Sequence, residues 1–172
     1  LIPLAIAALM LYGPYGWCYL RKESLEDYGL VWRLSKRSIA DTSIALILTL
    51  VPLTFIALNW PEGTLPRQIP IGSLMALMAA GAVAAVVEEV FFRGWLQSLA
   101  SRIVGPLWAI VAVSVIFALC HLFIKVHWLR LATFFPSLVM GFLKYRHRSV
   151  APSALYHLGG NLWSIWFFPD MI

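Results

Sequence analysis

The chain has 172 residues, of which 61% are hydrophobic, 14% aromatic and only 12% charged, whereas an ordinary soluble domain is roughly half apolar and a quarter charged. That balance excludes a water-soluble globular core, and the apolar runs lack the two-residue alternation of a membrane barrel, so they are predicted to be helices that satisfy their own backbone in lipid. The net charge of +5 is dispersed over short connections rather than gathered into a basic face, which excludes nucleic acid as a partner.

At ~20 residues per crossing, the length fits one membrane-embedded domain over 1–172, an all-α polytopic bundle of about six spans, with no room for a second domain. Residues 1–20 form the first predicted span. It loosens at Gly13, Pro14 and Gly16, meets Arg21 and Lys22, and is too long and continuous for a signal peptide. Between 21 and 38, basic residues alternate with Glu23, Glu26 and Asp27 and with Leu25, Tyr28, Leu30 and Trp32; part of this stretch is expected to lie flat in the headgroup region. Residues 39–58 make the second span, with Pro52 as a kink and Asn59, Trp60 and Pro61 as its stop. A turn-rich loop over 62–70 follows.

The third helix, 71 to about 100, is the longest, ~45 Å at ~1.5 Å per residue, and must tilt within a hydrocarbon layer of ~30 Å. Gly105 and Pro106 open a fourth span to about 124, and Lys125, His127 and Arg130 mark the next surface. A shorter fifth segment covers 129–143, a basic turn 144–149, and the last span 151–168 ends on Trp163, Trp166, Phe167 and Phe168 as an aromatic anchor. Cys18 and Cys120 sit inside apolar runs without metal-type spacing and read as buried thiols. With six spans, nine of the thirteen Lys and Arg fall on one face and three on the other, Arg93 lying inside a helix; the basic face is expected to be cytoplasmic, with both ends of the chain outside.

Charge within the third helix needs a reason. Glu89 and Arg93 are four residues apart and can neutralise each other on one face, but Glu88 points about 100° away and has no local cation. An intramembrane ionisable group is costly enough that a functional site is its default reading. The partners available are His121 on the fourth helix and His157 with Asn161, one turn apart, on the last. Taken alone, His121 reads as an interhelical hydrogen-bonding residue packed beside Phe117, and the pair Gly159 and Gly160 as a close-packing motif. Together the groups suit hydrolysis. A carboxylate drawn out of water is a competent general base, so Glu88 takes that role, His121 orients the water, and His157 with the Asn161 amide faces the developing oxyanion. Depth is the difficulty, because midpoints estimated from helix lengths leave Glu88 and His121 about 12 Å apart along the membrane normal. The Gly-x-Ser-x-Gly and His-Glu-x-x-His signals are absent. No cofactor is expected; two histidines and a glutamate are also of the kind that holds zinc, which makes metal-assisted hydrolysis the second chemical route.

Three patterns occur in order on separate helices: Glu88-Glu89-Val90-Phe91-Phe92-Arg93, Phe117-x-x-x-His121, and His157-x-x-x-Asn161. Over about residues 80–163 the chain thereby resembles the membrane-embedded CAAX-protease and bacteriocin-processing family, whose prenyl-protein-processing members are glutamate-type intramembrane endopeptidases. The resemblance implies the same roles for Glu88, His121, His157 and Asn161, with Glu89 and Arg93 holding the motif helix and a motif core at about 71–168. It also implies a substrate anchored in the bilayer, cleaved near a C-terminal or leader segment, and a bacterial inner-membrane location. Bacterial members are similar, too, to proteases of C-terminal sorting helices (the myxosortase-like subgroup). Two departures bear on substrate access: fewer spans than larger members, and a basic stretch after the second motif. A proton-coupled transporter or channel would use the same groups as a relay, though no internal repeat is visible. A non-catalytic scaffold for transmembrane peptides would use them only to tie helices together.

Overall fold

Serine and glycine set the main helix boundaries. In the computed structural model, which describes residues 1–60, 65–123 and 126–168, all regular structure among the described residues is helical. The elements are α1 (Ile2–Arg21), α2 (Lys36–Leu58), α3 (Ile71–Glu88), a π-helical segment (Glu89–Leu96), α4 (Gln97–Val104), α5 (Pro106–His121), a 3-10 segment (Trp128–Thr133), α6 (Phe134–His147) and α7 (Val150–Phe167). The helix stop at Pro61, the start of the 62–70 loop and Lys125 lie outside the described residues. Ser35 and Ser38 open α2 with a reciprocal capping box, each hydroxyl accepting the other's backbone N–H at 3.0 and 2.8 Å. Gly105, at φ 81°, lets the chain reverse between α4 and α5, and Pro106 takes the first helical position, where its missing N–H costs nothing.

The helix surfaces are turned inside out relative to a soluble protein. Along α2, Ile44, Ile47, Leu48, Val51 and Phe55 are all exposed, an apolar area that only lipid or a partner would cover. Of the crossings expected, α2 and the continuous helix Ile71–Val104 are long and apolar enough to span a membrane; α5 is apolar but shorter. Among the other helices, α7 packs against α2, α3 and α6, and α5 packs against α4 and α6, so the last helix of the chain is central in space. Both cysteines are free; Cys18 is buried, whereas Cys120 is only half-buried.

Three local expectations are corrected. The third helix is not regular: it winds as a π-helix over Glu89–Leu96, and such i→i+5 stretches need outside contacts to offset poorer local geometry. Those contacts come from other helices, which hold Glu89 and Arg93, and from Leu30, which lies directly over Gly94. A Cβ on Gly94 would overlap Leu30 Cδ2 and come within 3.4 Å of Val150 Cγ1. Gly94→Ala is therefore expected to cost about 1–3 kcal/mol through overpacking, read as a lowered melting temperature in detergent. Next, α5 stops at His121 rather than near 124, followed by a turn through Leu122. The fifth segment divides into the 3-10 turn and α6, which starts at Phe134 so that Pro136 falls in its first turn and runs on to His147.

The stretch from Lys22 to Ser35 folds back on the helix ends as a clasp. Tyr28 and Leu30 are buried with Cys18, Val90 and Val150, and the Val150 N–H donates to Gly29 O at 3.0 Å. Ser149 fastens the clasp from the other side, its hydroxyl donating to Val31 O at 2.7 Å and accepting from the Arg33 N–H at 3.1 Å. Burial of two large side chains holds it there.

Candidate active site

Glu89 and Arg93 are fully buried, at 0% side-chain exposure each, and pair at 3.5 Å between Arg93 Nε and Glu89 Oε2. Burial of two charges is costly unless further hydrogen bonds complete each of them. Glu89 Oε2 accepts from the Ser153 hydroxyl on α7, and its other oxygen, Oε1, meets His157 Nδ1 at 3.0 Å. Arg93 donates through Nη2 to Ser137 Oγ on α6 at 2.7 Å, and its guanidinium lies 5.1 Å from the centre of the Phe117 ring on α5. One ion pair thereby joins the π segment to α5, α6 and α7.

Glu88 is placed differently. It is 25% exposed in its side chain, and the nearest ionisable partner of its Oε2 is His157 Nε2 at 3.8 Å, beyond hydrogen-bonding distance. Among the described residues no donor reaches Oε2, although that atom is itself buried. His157 thus stands between the two acidic residues, its Nδ1 toward Glu89 and its Nε2 toward Glu88. With Glu89 accepting the Nδ1 proton, Nε2 is the ring atom left to act on anything bound beside Glu88.

His121, the last residue of α5, turns its Nδ1 to Phe117 O at 2.9 Å. It donates there, which leaves Nε2 as the acceptor of the neutral ring. Phe117 is the common floor, with ring centres 4.5 Å from His121 and 5.9 Å from His157.

Asn161 lies one turn beyond His157 on α7 and donates one amide N–H to Gly81 O on α3 at 3.0 Å, leaving its second N–H uncommitted. A Cβ on Gly81 would stand 3.3 Å from Asn161 Cβ, so the small residue of α3 is what lets the amide approach. Of the two neighbouring glycines, Gly159 is covered by Leu46 of α2, whereas around Gly160 nothing lies within 4 Å of a built Cβ.

The structure therefore brings Glu88, Glu89, Arg93, Phe117 and His157 into one contiguous group, sets His121 against its floor, and ties Asn161 to the helix that carries Glu88. Sequence reading passed over Ser137 and Ser153. For Ser153 a signal was present, since Ser153, His157 and Asn161 recur at four-residue spacing along one face of α7. Among the described residues no three His, Cys, Asp or Glu side chains stand together as a metal site, so Glu88, His121 and His157 do not form a zinc donor set in this geometry.

Comparison with known proteins bears on the same residues. A family model described as type II CAAX prenyl endopeptidase Rce1-like matches residues 70–163, more than half of the chain and the whole stretch from Glu88 to Asn161. No curated protein and no solved structure matches the chain.

Proposed function

Because the chain belongs to the type II CAAX prenyl endopeptidase Rce1-like family, and is thus a membrane protein of a protease family, we propose that it hydrolyses a peptide bond by water activation at Glu88. The observation that carries this reading is the Glu88 Oε2 atom, buried, without a donor among the described residues, and 3.8 Å from His157 Nε2. A separation of that size suits a water held by both groups.

Glu88 takes a proton from that water as its oxygen attacks the scissile carbonyl carbon, and then gives the proton to the leaving amine. His121, through the free Nε2, orients the water. The oxyanion is met by the second N–H of Asn161 and by His157 Nε2 when it carries a proton, both of them fixed in advance by bonds to Gly81 O and Glu89; donors that need no reorganisation contribute most to such a step. Glu89 and Arg93 hold these helices together without touching the substrate.

The chain is read as one domain with six crossings: α1, α2, the helix Ile71–Val104, α5, α6 and α7. At ~1.5 Å per residue, α5 and α6 are about 24 and 21 Å long, short of the ~30 Å hydrocarbon thickness. A bilayer that thins around them would bring water closer to Glu88. The substrate is a peptide bond near the membrane-anchored C-terminal or leader segment of another protein, cleaved in a bacterial inner membrane. The open side of Gly160, one turn from His157, is where an extended backbone could lie. Gly160→Leu is accordingly expected to raise KM about tenfold with kcat and melting temperature little changed, a loss of binding energy of about 1.4 kcal/mol.

The reading is tested by comparing membrane and secreted proteomes of cells carrying the active chain or its Glu88→Gln variant. A set of proteins whose C-terminal or leader fragments shift only with the active form supports it. Identical fragment patterns in the two strains would overturn it.

A further inference from the structure

A cavity of about 380 Å³ lies at the opposite end of the motif helix from Gly81, among α4, α6 and the clasp that follows α1. Ser98 on its wall is ten residues beyond Glu88, roughly 15 Å along the helix, so the cavity is separate from the candidate active site. Its volume falls in the range of small-molecule pockets, ~300–1,000 Å³.

Its cationic wall is built into the fold. Lys144 is only 8% exposed, and its Nζ donates to Ser98 Oγ at 2.5 Å, which in turn donates to Tyr28 O at 3.0 Å. Among the described residues no carboxylate pairs with this ammonium, and a buried charge with a single neutral partner is incompletely compensated. The stem of Lys144 crosses Gly29 so closely that a Cβ there would stand 2.8 Å from Lys144 Cε, and Gly29 has a φ of 64°. The glycine is what lets the lysine lie along the cavity. Two further cations line the space. Arg102 stacks 4.6 Å over the Tyr28 ring and bonds Glu23 at 3.2 Å. Arg148 is exposed, and among the described residues its guanidinium has no hydrogen bond or ion pair. The opposite lip carries Glu26 and Asp27; Glu26 pairs with Arg33, while Asp27 has no cation among the described residues.

We propose that this cavity is a headgroup site for a phospholipid bearing a primary ammonium, its phosphate diester on Lys144, Arg148 and Arg102 and its ammonium on Asp27 and Glu26. Each charge of the headgroup then meets its opposite. A purely anionic headgroup would leave the Asp27 carboxylate without compensation, and a quaternary ammonium has no N–H to donate to it. The position agrees, because the cavity lies at the basic ends of three helices, where nine of the chain's thirteen Lys and Arg collect and where headgroups lie when those helices cross a bilayer. Tyr145, an amphipathic side chain of the kind enriched at that level, completes the wall.

The test uses the intact chain released from detergent micelles for native mass spectrometry, with phosphatidylethanolamine, phosphatidylcholine or phosphatidylglycerol of matched acyl chains added. The expected result is about tenfold stronger retention of phosphatidylethanolamine than of either competitor, lost to a similar extent in Lys144→Met. Arg148→Gln, at an exposed position, supplies a second reading should Lys144→Met fail to fold, and Asp27→Asn is expected to abolish the preference over phosphatidylcholine. Equal retention of all three lipids, or preference unchanged in Lys144→Met and Arg148→Gln, overturns the site. Stronger retention of phosphatidylglycerol overturns the ammonium assignment. Displacement of the lipid by inorganic phosphate alone, with the same dependence on Lys144, would identify a free-phosphate pocket instead and overturn the lipid.

Discussion

Glu88→Gln is expected to lower the rate of peptide cleavage by about 10²- to 10⁴-fold, the usual worth of a positioned general base, with the folded structure retained. The amide keeps the shape of the carboxyl group but cannot take a proton from water. Folding is spared because Glu88 is bound so loosely: among the described residues it makes no ion pair shorter than the 3.8 Å contact with His157, and no donor reaches its Oε2. A charge with so little compensation stabilises little, so its neutralisation leaves the melting temperature unchanged or slightly raised. The measurement is a single-turnover rate on a membrane-anchored peptide, paired with a thermal melt of the same preparation. Full activity in the variant would mean that water is activated elsewhere and would remove Glu88 from the mechanism.

Arg93→Met should do the reverse, unfolding the helix bundle at a lower temperature whatever the substrate. Methionine fills much of the arginine's volume but removes the Ser137 bond, the contact over Phe117 and the cation paired with Glu89. The Glu89 carboxylate is then left buried with Ser153 and His157 alone. Breaking a buried pair from one side costs about 3–5 kcal/mol, a large fraction of the ~5–15 kcal/mol by which domains are stable. A double variant, Glu89→Gln with Arg93→Met, removes the stranded charge and should recover part of the loss. A double-mutant cycle on melting data reads that coupling directly. If Arg93→Met melted as the unaltered chain does while losing activity, the pair would belong to the chemistry and not to the scaffold.

The two variants separate because adjacent carboxylates occupy unlike surroundings, one held by Arg93 and by two side chains of α7 and the other nearly free. That division was legible from spacing alone. Residues four apart on a helix share a face and adjacent ones do not, so pairing Glu89 with Arg93 leaves Glu88 over. The composition likewise settled the all-helical character, and the three spaced patterns of the resemblance fall on the three helices that meet around Phe117.

Packing decided the rest. A helix that faces lipid is apolar around most of its circumference, so no amphipathic stripe marks the side that turns inward, and nothing in the run from Ile71 to Val104 marks the wider π turn that Leu30 and the buried ion pair hold in place. Serines at 137 and 153 look like any small polar residues until α6 and α7 bring them against Arg93 and Glu89. The clasp from Lys22 to Ser35 reads as a surface loop because five charged residues are interspersed among its six apolar ones; only contact with Cys18, Val90 and Val150 gives Tyr28 and Leu30 somewhere to bury. The amino-acid order determined which side chains within one helix share a face, since that follows from a fixed rise and turn. Which helices those faces meet, and so which carboxylate is left for chemistry, depends on contacts between residues up to about 70 positions apart and was decided only when the chain packed.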